Sequence, residues 1–166
     1  SNELEIVSVE FKPLFAALYK YYVSQPAGSI TLKNTTGSKI DSIKIKTIFK
    51  GFMYDPSETI NNEPLGKGKQ LQSDIYISFN RNILTITEDT PLQCKINVEY
   101  KINGEKFAIE KTLSANIFNR NALTWNSTKK IASFITPKDP PVKEFARAVA
   151  VTFKDQEADY FSKNIT

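Results

Sequence analysis

The side chains that carry most acid–base and nucleophilic chemistry are nearly missing from this chain. Its 166 residues include no histidine and one cysteine, Cys94. Ser-His-Asp and Cys-His nucleophile systems need an imidazole as base, so neither can be built. Zinc sites draw on imidazoles or on several thiolates, and a lone thiol supplies neither set. Cys94 sits on the apolar parity of a strong strand, so a buried, inert thiol is expected. One cysteine closes no intrachain disulfide and fits cytosol or periplasm equally. Asp155, Glu157 and Asp159 place three carboxylates at i, i+2 and i+4. Calcium takes such oxygen ligands, but the glycine and closing glutamate of a calcium loop are absent. A solvated helix face is the expected role of that run. Paired carboxylates hydrolyse glycosides, yet no Asp/Glu pair stands out at a strand end. The expectation is a protein that is not an enzyme and holds no metal or cofactor.

Charge and composition narrow the partners. The net charge is +4, carried mostly by lysines spread along strands, as at Lys44 and Lys46. Arginine occurs only at Arg81, Arg120 and Arg147. Nucleic-acid binders gather Arg and Lys in one patch, so no nucleic acid is expected. No stretch of about 18 apolar residues exists to span a bilayer as a helix. Ser1-Asn2 opens the chain without a Met and reads as the remnant of a cleaved tag, outside the fold. A native signal sequence is expected to have been removed with it.

The elements that must position any site are mostly strands. Between Pro91 and Asn119, Leu92, Cys94, Ile96, Val98 and Tyr100 alternate with polar residues. After Asn103-Gly104, the alternation resumes at Phe107, Ile109, Leu113, Ala115 and Ile117. Period two means one buried and one wet face, and Asn-Gly suits a type I′ turn. A lone hairpin is marginal in water, so this one predicts a sheet around it and a second layer over it. Leu4 to Phe11 predicts a first strand with a bulge near Ile6-Val7, at an edge because Pro13 follows. The tyrosines of Phe15 to Val23 favour a strand there, closed by the turn at Gln25 to Gly28. Ser29 to Lys33, Asp41 to Lys50 and Gln70 to Phe79 predict three more strands, with Ile43, Ile45, Thr47 and Phe49 inward. Leu84 and Ile86 mark a short piece. Gly51 to Lys69 is a long crossing that predicts an edge strand near Phe52-Met53-Tyr54.

About eight short strands point to a mainly β fold, an antiparallel immunoglobulin-like β-sandwich over residues 3–125. A jelly roll or small barrel is the alternative. Residues 126–166 then predict a proline-rich connector and a short C-terminal α-helical extension. Asp139 caps a helix with Pro140 at its first position. Val142, Phe145, Ala146, Val149 and Phe153 recur at helical spacing. The chain stops at Thr166 without a capping signal, as if a longer protein continues.

The junction carries a resemblance. Asn119-Arg120-Asn121-Ala122-Leu123-Thr124-Trp125, followed by Lys130-Ile131-Ala132-Ser133-Phe134-Ile135-Thr136-Pro137-Lys138-Asp139-Pro140, resembles a segment of bacterial extracytoplasmic proteins. In these, a sandwich similar to CARDB-type adhesion domains precedes a helical region. Some continue into a transglutaminase-like or repeat domain. Tyr21-Tyr22, Gly28 to Asn34 and Tyr100 also look like that kind of sandwich. The resemblance implies a periplasmic or extracellular, envelope-associated binding or spacer module. Transglutaminase-like catalysis needs a Cys and a His that this chain does not pair, so that activity does not carry over.

Candidate interaction residues follow from these elements. Arg120, Asn121 and Trp125 form a joint between sandwich and extension, docking a partner or plugging the sandwich end; burial is the usual fate of Trp. Tyr19 and Tyr21 share a strand face and would offer rings to a carbohydrate, against ordinary sheet packing. Phe52, Met53 and Tyr54 would mark a partner surface if exposed together, or tuck the loop onto the sheet. Exposed strand edges are natural sites for β-augmentation. The expected partner is a protein or a neighbouring domain of the same chain, with carbohydrate as the alternative.

Overall fold

A computed structural model describes residues 3–122. The long hairpin is its spine. β7 (Thr90–Ile102) and β8 (Glu105–Phe118) stay in antiparallel register from Thr90↔Ile117 to Ile102↔Glu105. Asn103 (φ 51°) and Gly104 (φ 81°) form the two-residue turn with positive φ at both positions, as a type I′ turn requires. Cys94, Ile96, Val98 and Tyr100 are all buried. β4 (Ser42–Phe49) lies antiparallel on the other side of β7, from Ser42↔Lys101 to Phe49↔Cys94. Its Ile43, Ile45, Thr47 and Phe49 point into the core as their period dictates. β5 (Ser57–Asn61) pairs with β4, and β2 (Leu14–Phe15) runs parallel to the end of β8. The resulting order is β2-β8-β7-β4-β5.

The second layer is smaller. β1 (Leu4–Phe11), β3 (Gly28–Asn34) and β6 (Gln70–Ile75) form a sheet of order β1-β3-β6. β1 is an edge strand, and its register slips between Ile6 and Ser8, where the extra residue Val7 is left exposed. The core lies between the sheets. Leu4, Ile30, Leu32 and Ile75 face it from one layer, Ile45, Phe49, Ile96 and Val98 from the other. The described chain is therefore a mainly β, two-sheet sandwich. Among the described residues, no helix is long and apolar enough to cross a membrane.

Four expectations change. Phe15 to Val23 is not a strand: after Leu14–Phe15 it winds into 3₁₀ turns at Ala16–Leu18 and Tyr21–Val23. Leu18, Tyr21 and Tyr22 are all buried, a helical i, i+3, i+4 spacing that tyrosine's β-propensity masked. Tyr22 holds the bend, its hydroxyl accepting from the Phe15 N–H at 2.9 Å and donating to the Pro13 carbonyl at 3.4 Å. The edge strand after β4 is at Ser57–Asn61, not Phe52-Met53-Tyr54. Chain reversal at Gly51 (φ 89°) tucks Met53 inside, where its Sδ accepts from the Phe49 N–H at 3.2 Å. The strand from Gln70 pairs only as far as Ile75. Beyond it Ile77 and Phe79 keep the buried parity, and the Ile77 N–H donates to the Tyr22 carbonyl at 2.9 Å. The piece around Leu84 is a 3₁₀ turn, Arg81–Thr85, capped by the Asn80 side chain accepting from the Asn82 N–H. The expected boundary at residue 126, the connector and the C-terminal helix lie outside the described residues.

One polar residue ties the loops at the hairpin-turn end. Asn34 is fully buried at the end of β3. Its amide donates to the Ser38 and Leu65 carbonyls at 2.8 and 2.9 Å. Its oxygen accepts from the Thr36 N–H and hydroxyl at 3.0 and 2.6 Å. Every valence of the side chain is used. Asn34→Ala should cost about 3 kcal/mol, because it strands several buried groups at once; urea denaturation with an unchanged m-value would measure it.

Candidate functional site

Among the described residues, the outer side of β8 is the longest run of strand backbone with no ladder partner. β2 pairs only with Ile117 and Phe118. Among the described residues, the outer edge of 105–116 has no ladder partner. In a two-residue hairpin the residues flanking the turn, Ile102 and Glu105, make the first hydrogen-bonded pair, and such pairs then alternate along the ladder. The main-chain groups of Lys106, Ala108, Glu110 and Thr112 consequently point to the open side. The inner face is also thinly covered there. Phe107 is 38% exposed, and Ile109 and Leu113 are half-buried. The Phe107 ring rests on Tyr100, stacked at 5.4 Å between centroids.

Around this edge the outer face of the large sheet is ionic. Lys46 Nζ lies 3.1 Å from Glu99 Oε1 and 4.0 Å from Glu58 Oε1, and Lys95 lies 2.9 Å from Glu110. The hydrogen bond from Lys46 holds the Glu99 carboxyl below its usual range, with Lys46, Lys44 and Lys106 adding to the pull by charge. A shallow groove of about 510 Å³ runs beside it, with Lys44, Lys101 and Lys106 around Ile60 and Ala108. Among the described residues, none of those three ammonium groups has a carboxylate within 4.0 Å.

The residues singled out from the sequence fall elsewhere. Tyr21 is buried edge-on to Tyr22, their centroids 5.8 Å apart, while Tyr19 is half-buried beside Lys20. Tyr21 presents no open face, so the two rings are not exposed together as the carbohydrate-binding alternative would need. Met53 is buried, Phe52 half-buried and Tyr54 85% exposed, so this loop offers one ring rather than a cluster. Arg120 and Asn121 are exposed where β8 ends. The Arg120 N–H donates to the Ile86 carbonyl at 3.1 Å, and Asn119 holds Asp89 Oδ1 through its N–H and its amide at 2.9 and 2.8 Å. That joint is a tethered exit for the chain. Trp125 lies outside the described residues. Among the described residues, no three His, Cys, Asp or Glu side chains are grouped to hold a metal.

The β8 edge was missed in the sequence, but a signal was present. Glu105 and Lys111 occupy the inner parity of the strand, and inward-pointing charges are a standard device of exposed edges.

No family model matches the chain, and no curated protein does. Among solved structures it is similar to the solution structure of a late embryogenesis abundant (LEA) protein, at 11% identity and a TM-score of 0.48, over 73% of this chain and 74% of that one.

Cys94 is wholly buried, and burial pushes its thiol from 9.0 up to about 12. Burial also raises the Tyr22 hydroxyl, which the hydrogen bond from Phe15 offsets in part. The unfolded chain releases these protons near pH 9 and 10 while the folded chain keeps them. Their contribution is therefore whole below pH 9 and is lost as pH rises above it, by up to ~1.4 kcal/mol per pH unit for each group. Denaturation midpoints should fall between pH 9 and 11, less steeply in Cys94→Ala. A thiol reagent at pH 8 should label Cys94 only after unfolding.

Proposed function

We propose that this chain is a non-catalytic interaction or spacer module of a larger secreted or envelope-associated bacterial protein. We read its two sheets, antiparallel except for the short β2–β8 pair, as an immunoglobulin-like, CARDB-type sandwich. The observation that carries the reading is the β8 edge: main-chain donors and acceptors along 105–116 face outward beside partly exposed Phe107, Ile109 and Leu113. Such an edge binds by accepting another strand, which supplies affinity through the backbone and specificity through alternate side chains. The buried Tyr21 weighs against the carbohydrate-binding alternative. The joint at Arg120 and Asn121 serves this role as an anchored exit toward a neighbouring segment.

Ala108→Pro in the full-length native protein tests the reading. Proline removes an outward N–H without touching the β7 ladder, and edge strands tolerate it. The melting temperature should stay within a few degrees of the parent, while the protein's association in a native extract, followed by size-exclusion, should be lost. Asn97→Ala, on the outer face of β7, should leave that association intact. Unchanged association in Ala108→Pro would sink the edge as the contact site.

A further inference from the structure

The exposed end of β8 has a charge pattern that complements itself when the strand is reversed. Glu105-Lys106-Phe107-Ala108-Ile109-Glu110-Lys111 has acid and lysine exchanged about its centre, Ala108. We propose that two copies of this chain pair antiparallel through their β8 edges, about a two-fold axis at Ala108; this rests on the reading of β8 as the docking edge and names its partner.

The register follows from the structure. In an antiparallel pair, residues directly opposite each other share a face. With the axis at Ala108, Lys106 meets the partner's Glu110 on the outer face. Glu105 meets the partner's Lys111 on the inner face, and Phe107 meets the partner's Ile109. The symmetry repeats each contact, so four opposite-charge pairs flank two apolar ones. The backbone agrees, because Lys106, Ala108 and Glu110 are the residues whose main-chain groups point outward. Each hydrogen-bonded pair across the axis exchanges two main-chain bonds.

Other two-fold registers of this segment fail. An axis at Glu110 sets Glu110 against its own copy, and one at Lys106 or Lys111 sets lysine against lysine. An axis at Phe107, Ile109 or Thr112 aligns no acid with a lysine. Like charges directly opposite destabilise a strand pair, so the sequence selects one register. The existing Lys95–Glu110 pair does not compete strongly, since both groups are about half exposed and surface pairs of that kind are weak. Pairing also covers Phe107 and Ile109, which the small sheet leaves partly open. A contact of seven residues per copy is smaller than a standard interface, so the dimer is expected to be weak and concentration-dependent.

Sedimentation equilibrium of the whole chain, from micromolar to millimolar, tests this. A monomer–dimer equilibrium is expected. Lys106→Glu should raise the dimer dissociation constant about tenfold, by setting Glu against Glu twice. The double variant Lys106→Glu, Glu110→Lys swaps the signs and should restore dimerisation to about the parent level. Ala108→Pro should abolish it. A monomer throughout the range, or a dimer indifferent to the charge variants, overturns self-pairing. If the chain stays monomeric while Ala108→Pro still removes association in the extract, self-pairing falls and the edge reading stands. If neither experiment responds, both fall.

Discussion

The register of β7 against β8 is the constraint on which the rest depends. Two residues with positive φ, Asn103 and Gly104, fix it. A slip of one residue would turn every side chain of a strand to the other face. Cys94, Ile96, Val98 and Tyr100 would then leave the core, and Lys95, Asn97 and Glu99 between them would enter it. With the register set, β4 can dock on β7 with Ile43, Ile45 and Phe49 inward. Phe49 in turn meets Phe11 edge-on at 5.6 Å and Phe79 at 5.2 Å, so the hairpin also places the segments that close one end. At the other end the Tyr100 hydroxyl accepts from the Leu4 N–H at 3.3 Å, a direct tie between the two sheets.

That spine is longer than the layer that covers it, and the mismatch shapes the surface. The lower part of β8 is inside, with Ala115 and Ile117 buried and Phe118 stacked on Phe15 at 4.8 Å. The upper part emerges with Phe107 partly open. Three of the other edges are blunted in recognisable ways. β1 carries a bulge, β5 has five residues and β2 has two. Among the described residues, β8 keeps a long edge with no ladder partner, flanked by charges at Glu105, Lys106, Glu110 and Lys111.

Much of this was legible because it rests on local periodicity. The hairpin, its turn, the inward set of β4 and the bulge near Val7 all follow from alternation read within a few residues. What escaped reading depended on long-range context. Ser57–Asn61 has no apolar alternation, since an edge strand beyond the core has no face to bury. Leu18, Tyr21 and Tyr22 carried a helical spacing inside a run of β-formers, and the hydroxyl of Tyr22 decided the conformation by reaching back to Phe15 and Pro13. The candidate site suffered most. Tyr19 and Tyr21 were paired on the premise of a strand, and once the segment winds into a 3₁₀ turn that shared face no longer exists. Of the two readings of Phe52, Met53 and Tyr54, tucking the loop onto the sheet holds for Met53, which the turn at Gly51 folds inward, while Tyr54 stays exposed.

The inner-parity charges Glu105 and Lys111 tie these points together. On a strand covered by a second sheet, each would be a charge taken out of water, at a cost that pairing rarely recovers. Here both are exposed, on the same parity as the partly open Phe107. On the proposed reading, these charges also keep the edge from adding strands indiscriminately, since an incoming segment must present the opposite charge at both ends of a short apolar centre. Backbone hydrogen bonding alone would accept almost any extended chain. On the proposed reading, the charges make the edge selective, and selectivity distinguishes a binding edge from an aggregation hazard.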